Sequence, residues 1–315
     1  MKRNITLFAM GCAVVAALAF ASCNKFGGSQ TVPAYIRIDS IKMDTMDYYI
    51  YGANTSNFAD AWVYVDDQIH GCFELPATIP VLAKGEHKVS VYPGIKIDGR
   101  RGARSAYLFC KPAEYRNLTL TEGCIETLNP IVRYHESDIL QIPWKEDFET
   151  GSSLLPLSDS DTSLMRVSGA EAWRSDNSFY SGKIVLPPDS LDFYLASSEM
   201  TFHSEFNDQT PCMLEMDYKC NDTFFVGLIY KKSNTIERWP IVKVLPTDKK
   251  HAVPQRWNKI YINIGHVMKR ETDASYFKLY FTSNLTVHDD LGEHPYAPIN
   301  ETRYYYFDNL KVLYR

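Results

Sequence analysis

"CMLEMDYKC", residues 212–220, alternates with a period of two, which places Cys212, Leu214, Met216, Tyr218 and Cys220 on one mostly apolar face. That period is the signature of a β-strand with one side against a core. The cysteines at its two ends suggest a disulfide, and strand geometry rules it out. Eight residues of extended chain span roughly 26 Å, whereas a disulfide needs its Cα atoms within about 7 Å. The two thiols therefore read as core fillers, the usual behaviour of a free cysteine.

Working outward, similar runs recur on both sides. "SGKIVL" and "LDFYLASSEMTF" precede the stretch, and "TFFVGLIYK", "WPIVKVL", "RWNKIYINI", "YFKLYFTSNL" and "RYYYFDNLKVLYR" follow it. Eight strands predict a jelly roll over residues 147–315. Upstream, the polar "ESDILQIPWKE" (136–146), with Pro143, reads as a linker. Before it, residues 34–135 hold short strands at regular spacing and no convincing amphipathic helix, the pattern of a sandwich. "AWVYVDDQIHGCFEL" is the clearest hairpin, with Asp66-Asp67-Gln68 at its turn. "TIPVLAKGEHKVSVYPGI" repeats the pattern, with Gly85 at a turn and Val89 and Val91 on one face, and "DYYIYGA" reads as a further strand segment. The fold class expected is all-β: two β-sandwich domains.

The N-terminus has the parts of a secretory signal: Lys2 and Arg3, an apolar run from Ile5 to Phe20, then small Ala21 and Ser22 before Cys23. The run is too short for the roughly 20 apolar residues a membrane span needs, so it reads as cleaved. Residues 1–22 are then a signal peptide and 23–33 a tether. The mature chain of about 290 residues suits two domains.

Five cysteines remain beyond Cys12 and Cys23: Cys72, Cys110, Cys124, Cys212 and Cys220. An odd number cannot all pair internally. The chain is 45% apolar with a formal charge of −5, and its 33 basic residues are scattered, which excludes nucleic acid as a partner class. It has no G-x-S-x-G elbow, H-E-x-x-H pair or phosphate-binding glycine loop. No carboxylate spacing singles out a pair that could face each other across a cleft, as glycoside hydrolysis requires. A non-enzyme is expected. "HDDLGEH" (288–294) gathers metal-ligating residue types, but it reads first as a wet loop between strands. For stacking on a sugar ring, Trp239 beside Pro240 and Tyr296 are the candidate ligand-binding residues. Trp257, in an alternating strand, is expected in the core.

Phe20-Ala21-Ser22-Cys23 resembles the lipobox of bacterial lipoproteins, with Phe where Leu is commonest; Cys23 would carry the lipid and anchor the chain stably. "LPATIPVLAKGEHKVSVYPG" resembles PEGA-type and related Ig-like β-modules of bacterial envelope proteins, over about a quarter of its domain, and implies a binding or spacer role. Phe148-Glu149, Trp257-Asn258-Lys259-Ile260-Tyr261 and Phe307-Asp308-Asn309-Leu310 are similar to motifs of jelly-roll carbohydrate-binding modules. That likeness implies a structural Ca²⁺ where first and last strands meet, with Glu149 and Asp308 as ligands. As a whole the chain resembles a group of Bacteroidota outer-membrane lipoproteins. The resemblance implies an outer-membrane location, lipid-anchored and at the cell surface. It also implies an interaction module docking on an outer-membrane barrel protein or other envelope lipoproteins, with glycan binding through the jelly roll as the alternative. Cys23 is followed by Asn24-Lys25-Phe26-Gly27-Gly28 rather than by acidic residues, which leaves the membrane face open.

Overall fold

The computed structural model describes residues 32–188, 192–200, 211–248, 251, 253–283 and 301–315. The expected signal peptide, Cys23, Tyr296 and the 288–294 stretch lie outside the described residues.

The first half begins with β1 (Ala34–Ile38), β2 (Lys42–Met43), a one-turn helix α1 (Tyr48–Tyr51), β3 (Asp60–Val65), β4 (Gln68–Glu74), β5 (Ala77–Val81) and β6 (Gly85–Lys96). It continues with β7 (Arg104–Ala106), β8 (Cys110–Lys111), β9 (Ala113–Leu120), β10 (Ile125–Leu128) and β11 (Ile131–Tyr134). One sheet runs β4-β3-β6-β7, with β9 also on β6; facing it are the short sheets β10-β1-β5 and β2-β11-β8. Ala34, Ile36, Ile38, Ile79 and Val81 meet Ala61, Val63, Val89, Val91 and Ile95 between the layers.

The local chemistry explains the turns. Asp66 and Asp67 take φ of 49° and 62° at the β3–β4 turn, as a two-residue primed turn requires. Gly85 (φ +97°) lies where the chain turns into β6. β5 and β6 nevertheless do not form a hairpin: β5 pairs with β1 and β6 with β3, so the chain crosses between layers there. "DYYIYGA" is not a strand. Asp47 caps the amides of Tyr49 and Ile50, and Gly52 (φ +78°) ends the single helical turn.

The second half comprises β12 (Gln141–Glu146), β13 (Leu155–Pro156), β14 (Met165–Ser168), β15 (Tyr180–Leu186), β16 (Tyr194–Ala196), β17 (Cys212–Cys220) and β18 (Phe224–Lys232). After these come β19 (Thr235–Val244), β20 (Asn258–Asn263), helix α2 (Gly265–Arg270), β21 (Tyr276–Thr282) and β22 (Arg303–Tyr314). The sheet β14-β15-β22-β17-β20 packs on β13-β16-β21-β18-β19, and every pair in this half is antiparallel. The expected linker 136–146 is only partly a linker, because Gln141–Glu146 is β12 and pairs with β22. Ile142 and Trp144 supply the apolar positions that make it sheet.

In β17 the apolar face read from the sequence fills the core: Cys212, Leu214, Met216, Tyr218 and Cys220 are all buried there. Its other face is buried as well. Met213 from β17, Tyr261 from β20 and Leu313 from β22 belong to the first domain's core cluster. The two sandwiches therefore share an interface along the outer face of the β22 sheet. The five cysteines among the described residues are free thiols, with Cys72 and Cys124 exposed and the other three buried.

Candidate functional site

Alternation along β17, β20 and β22 sends Glu215, Asp217, Lys259 and Lys311 to the side opposite the jelly-roll core, where the first sandwich covers them. Glu215 is fully buried and accepts hydrogen bonds from the Tyr107 and Tyr134 hydroxyls of the first domain, the latter at 2.7 Å. Lys259 Nζ lies 2.9 Å from Glu215 Oε2 and donates to Thr55 Oγ1 at 2.8 Å. Lys311 Nζ lies 3.6 Å from Glu215 Oε2 and donates to the Tyr51 carbonyl at 2.5 Å. Burial pushes the Glu215 carboxyl up, but Lys259, Lys311 and the two phenols together outweigh it and hold the group at about 2. Burial pulls the Lys311 ammonium down to about 8 against the attraction of Glu215. A buried charge set of this kind contributes little net stability compared with apolar packing, but losing one member is costly. Its partners come from both domains, so it fixes how they dock.

The docking builds a cleft of about 750 Å³ at the junction. One wall is the turn after β6. Asp98 and Gly99 there have φ of 56° and 68°, and an isolated bridge joins Ile97 to Tyr261 of β20. The Asp98 amide donates to the Tyr261 carbonyl at 2.8 Å, and the Asn263 amide donates to Asp98 Oδ1 at 2.9 Å. This turn therefore covers the edge of β20, which would otherwise be open. Asn57 fixes the floor. Its amide donates to Tyr261 Oη at 3.0 Å, and its side chain donates to Asn258 Oδ1 at 3.1 Å and to the Lys259 carbonyl at 2.9 Å. The opposite wall is the end of β19, from Ile241 to Val244 with Leu245 beyond it, and His266 of α2 closes one end.

The cleft's charges are largely paired: Arg100 Nη2 sits 2.6 Å from Asp98 Oδ2, and Lys96 Nζ 3.6 Å from Glu74 Oε1. Lys243 adds a further cation to the lining, its Nζ 5.8 Å from the Phe225 ring centroid. Planar amides, a carboxylate and cations together offer both donors and acceptors, a mix that suits a polyhydroxylated ligand.

Trp239 is 41% exposed on β19, the strand that also supplies the cleft wall. The Arg270 guanidinium lies 3.9 Å from its ring centroid, and Arg270 is one turn of α2 beyond His266. Trp239 lies two residues before Ile241 of the cleft wall, with one ring face on a cation, and is not itself one of the cleft's lining residues. Trp257 departs from the core expectation. It is half-buried on the outer face of its sheet, edge-on to Tyr306, with Lys219 Nζ 4.9 Å from its ring centroid.

Glu149 and Asp308 are both near Tyr48, but each carboxylate serves the protein itself. Glu149 Oε1 accepts from the amides of Phe179 and Tyr180 at 2.7 and 2.9 Å. Asp308 accepts from Ser181 Oγ and from the Asn309 amide, and burial raises its carboxyl well above the usual range. Among the described residues no three His, Cys, Asp or Glu side chains are placed to hold a metal. No described helix is long and apolar enough to cross a membrane.

No protein-family model matches the sequence, neither a PEGA-type module nor an envelope-lipoprotein group, and no curated protein matches it. Solved structures similar to it include the tandem CBM22-1–CBM22-2 domain of Paenibacillus barcinonensis Xyn10C. That match has 14% identity, a TM-score of 0.34, and covers 82% of this chain and 74% of the other. Promiscuous carbohydrate-binding modules of the β-sandwich superfamily match at 12% identity and TM-score 0.35, covering 80% of this chain and 84% of theirs. The CBM22-1–GH10 modules of Clostridium thermocellum xylanase 10B, complexed with xylohexaose, match at 13% identity and TM-score 0.33 over 55% of this chain. The chain spans 28% of that xylanase fragment's length.

Proposed function

We propose that the protein is a non-catalytic glycan-binding protein whose site is the cleft between its two sandwiches. The observation that carries this is a 750 Å³ cleft floored by the Asn57–Asn258 amide pair and walled by Arg100 and Asp98, whose opposite wall is the end of β19, the strand on which the exposed Trp239 lies two residues before Ile241. A sugar presents apolar C–H faces and a fringe of hydroxyls. An aromatic face and planar hydrogen-bonding groups recognise those two features. An extended oligosaccharide lying along the end of β19 would meet both. The lipid anchor at Cys23 and the outer-membrane location belong to the same proposal: the protein holds polysaccharide close to the cell envelope.

The test is affinity electrophoresis of residues 24–315 through gels carrying a panel of neutral and acidic polysaccharides. The wild type should be retarded by at least one of them. Arg100→Ala, at a side chain 69% exposed, should lose the retardation while keeping the wild-type Tm. If no polysaccharide retards the protein and a tagged, mildly solubilised form instead brings down a stoichiometric outer-membrane barrel protein, the docking-subunit reading replaces this one.

A further inference from the structure

The outer face of the β10-β1-β5 sheet is divided by register. Tyr35 of β1 lies across from Ile125 on one side and Pro80 on the other, and all three point away from the core. Two residues further along, Arg37 is flanked in the same way by Thr127 and Thr78. One end of the face is thus apolar and the other polar. Beyond the apolar row Leu82 is 69% exposed, Ile125 within it 57%, and Val32, at the start of the described chain, 47%. A cluster of this kind on an otherwise polar face marks a contact surface.

The occupant is indicated by where the chain enters. β1 starts at Ala34, so the tether arrives at the apolar end of this face and not at the Arg37 end. Eight residues lie between Cys23 and Val32, and the nine steps from one to the other reach about 30 Å at most. On the reading of Cys23 as the lipid-bearing residue, the apolar end is held within that distance of a bilayer. The tether keeps the local concentration of membrane high, so even a modest patch orients the domain. The residue types suit the bilayer's interfacial layer: Tyr35 has an apolar ring and a polar tip, and Lys84, with its side chain 67% exposed, flanks Leu82 and has Glu122 Oε1 3.9 Å from its Nζ, an exposed pair weak enough to be exchanged for lipid phosphate. We infer that Tyr35, Pro80, Leu82 and Ile125 form a face that rests on the membrane surface and sets the orientation of the whole molecule on it. This inference rests on the anchor at Cys23 and is independent of what the cleft binds.

Two native thiols report on it. Cys124 is exposed beside Ile125, and Cys72 is exposed on β4 of the opposite sheet. The acylated full chain is added to preformed phosphatidylethanolamine–phosphatidylglycerol vesicles and treated with a membrane-impermeant maleimide. Cys124 should react roughly fivefold or more slowly than in the soluble Cys23→Ser form, whereas Cys72 reacts at an unchanged rate. A Tyr35→Ser/Leu82→Ser/Ile125→Ser variant should still float with the vesicles and regain the fast Cys124 reaction. Floated wild-type protein whose Cys124 and Cys72 are equally reactive overturns the resting face while leaving the anchor intact. Wild-type protein that does not float overturns both.

Discussion

Glu215→Gln is the sharpest test of how the two sandwiches are joined. The substitution keeps the shape of a fully buried side chain and removes the charge that faces Lys259 at 2.9 Å and Lys311 at 3.6 Å. Removing one member of a buried ion pair costs about 3–5 kcal/mol, because the partner is left uncompensated. Lys259 keeps Asp217 at 3.8 Å and the Thr55 hydroxyl, so the low end, about 3 kcal/mol, is expected. For a chain of this size that lowers Tm by about 6–10 °C. Thermal unfolding of residues 24–315 followed by circular dichroism, with urea titration for the free energy, measures both. Glu136→Gln, which breaks an exposed pair with Lys111, should leave Tm unchanged. The pH profile supplies a second readout. The folded-state pKa of Glu215 is lowered from 4.5 to about 2, so its stabilisation is present above pH 4.5 and is lost as pH falls through that window. The variant should lose less stability between those limits. A loss below about 1 kcal/mol with an unchanged acid limb would refute the claim that these charges hold the domains together.

Asp308→Asn should remove a pH dependence, because burial raises this carboxyl well above its ordinary range. A raised folded-state pKa contributes stability that is lost as pH rises from the ordinary carboxylate value, about 4, so the variant should lose less stability than the wild type as pH rises above that value when both are melted in parallel. Gly227→Ala should cost more than about 2 kcal/mol in urea, since its Cβ would sit 2.3 Å from the Trp239 carbonyl and 2.4 Å from the Tyr280 ring. Trp239→Ala should weaken glycan retention about tenfold and lower stability by only about 1 kcal/mol through the lost Arg270 contact. Chelation with EDTA should leave Tm unchanged, because Glu149 and Asp308 already accept hydrogen bonds from the chain's own amides and Ser181; a fall in Tm would instead support a structural Ca²⁺ held by them.

The strands were legible because one face of each buries a contiguous apolar set. Period-two alternation in 212–220 and paired aspartates at 66–67 are local signals that need no knowledge of the rest of the chain. The junction was not legible. Glu215, Asp217 and Lys259 alternate with core residues as solvated charges do, and only the arrival of Tyr107, Tyr134 and Thr55 from more than 80 residues away turns them into an interior. Trp257 was misplaced for the same reason, since the parity of β20 puts it with Lys259 and Tyr261 and not with Ile260. From sequence alone β12 reads as linker, because Pro143 and its polar neighbours outweigh Ile142 and Trp144, whose partner strand lies at the far end of the chain. Trp239 did stand out, because a proline beside it demotes its strand to an edge.

Hydrogen exchange with and without a saturating oligosaccharide, taken from whichever polysaccharide retards the protein, tests the central claim most directly. Exchange should slow in 96–103, 241–245 and 256–262, the segments that wall and floor the junction cleft, with the outer surfaces of both sandwiches unchanged. Protection confined to other segments, or the absence of any glycan that binds, would contradict it.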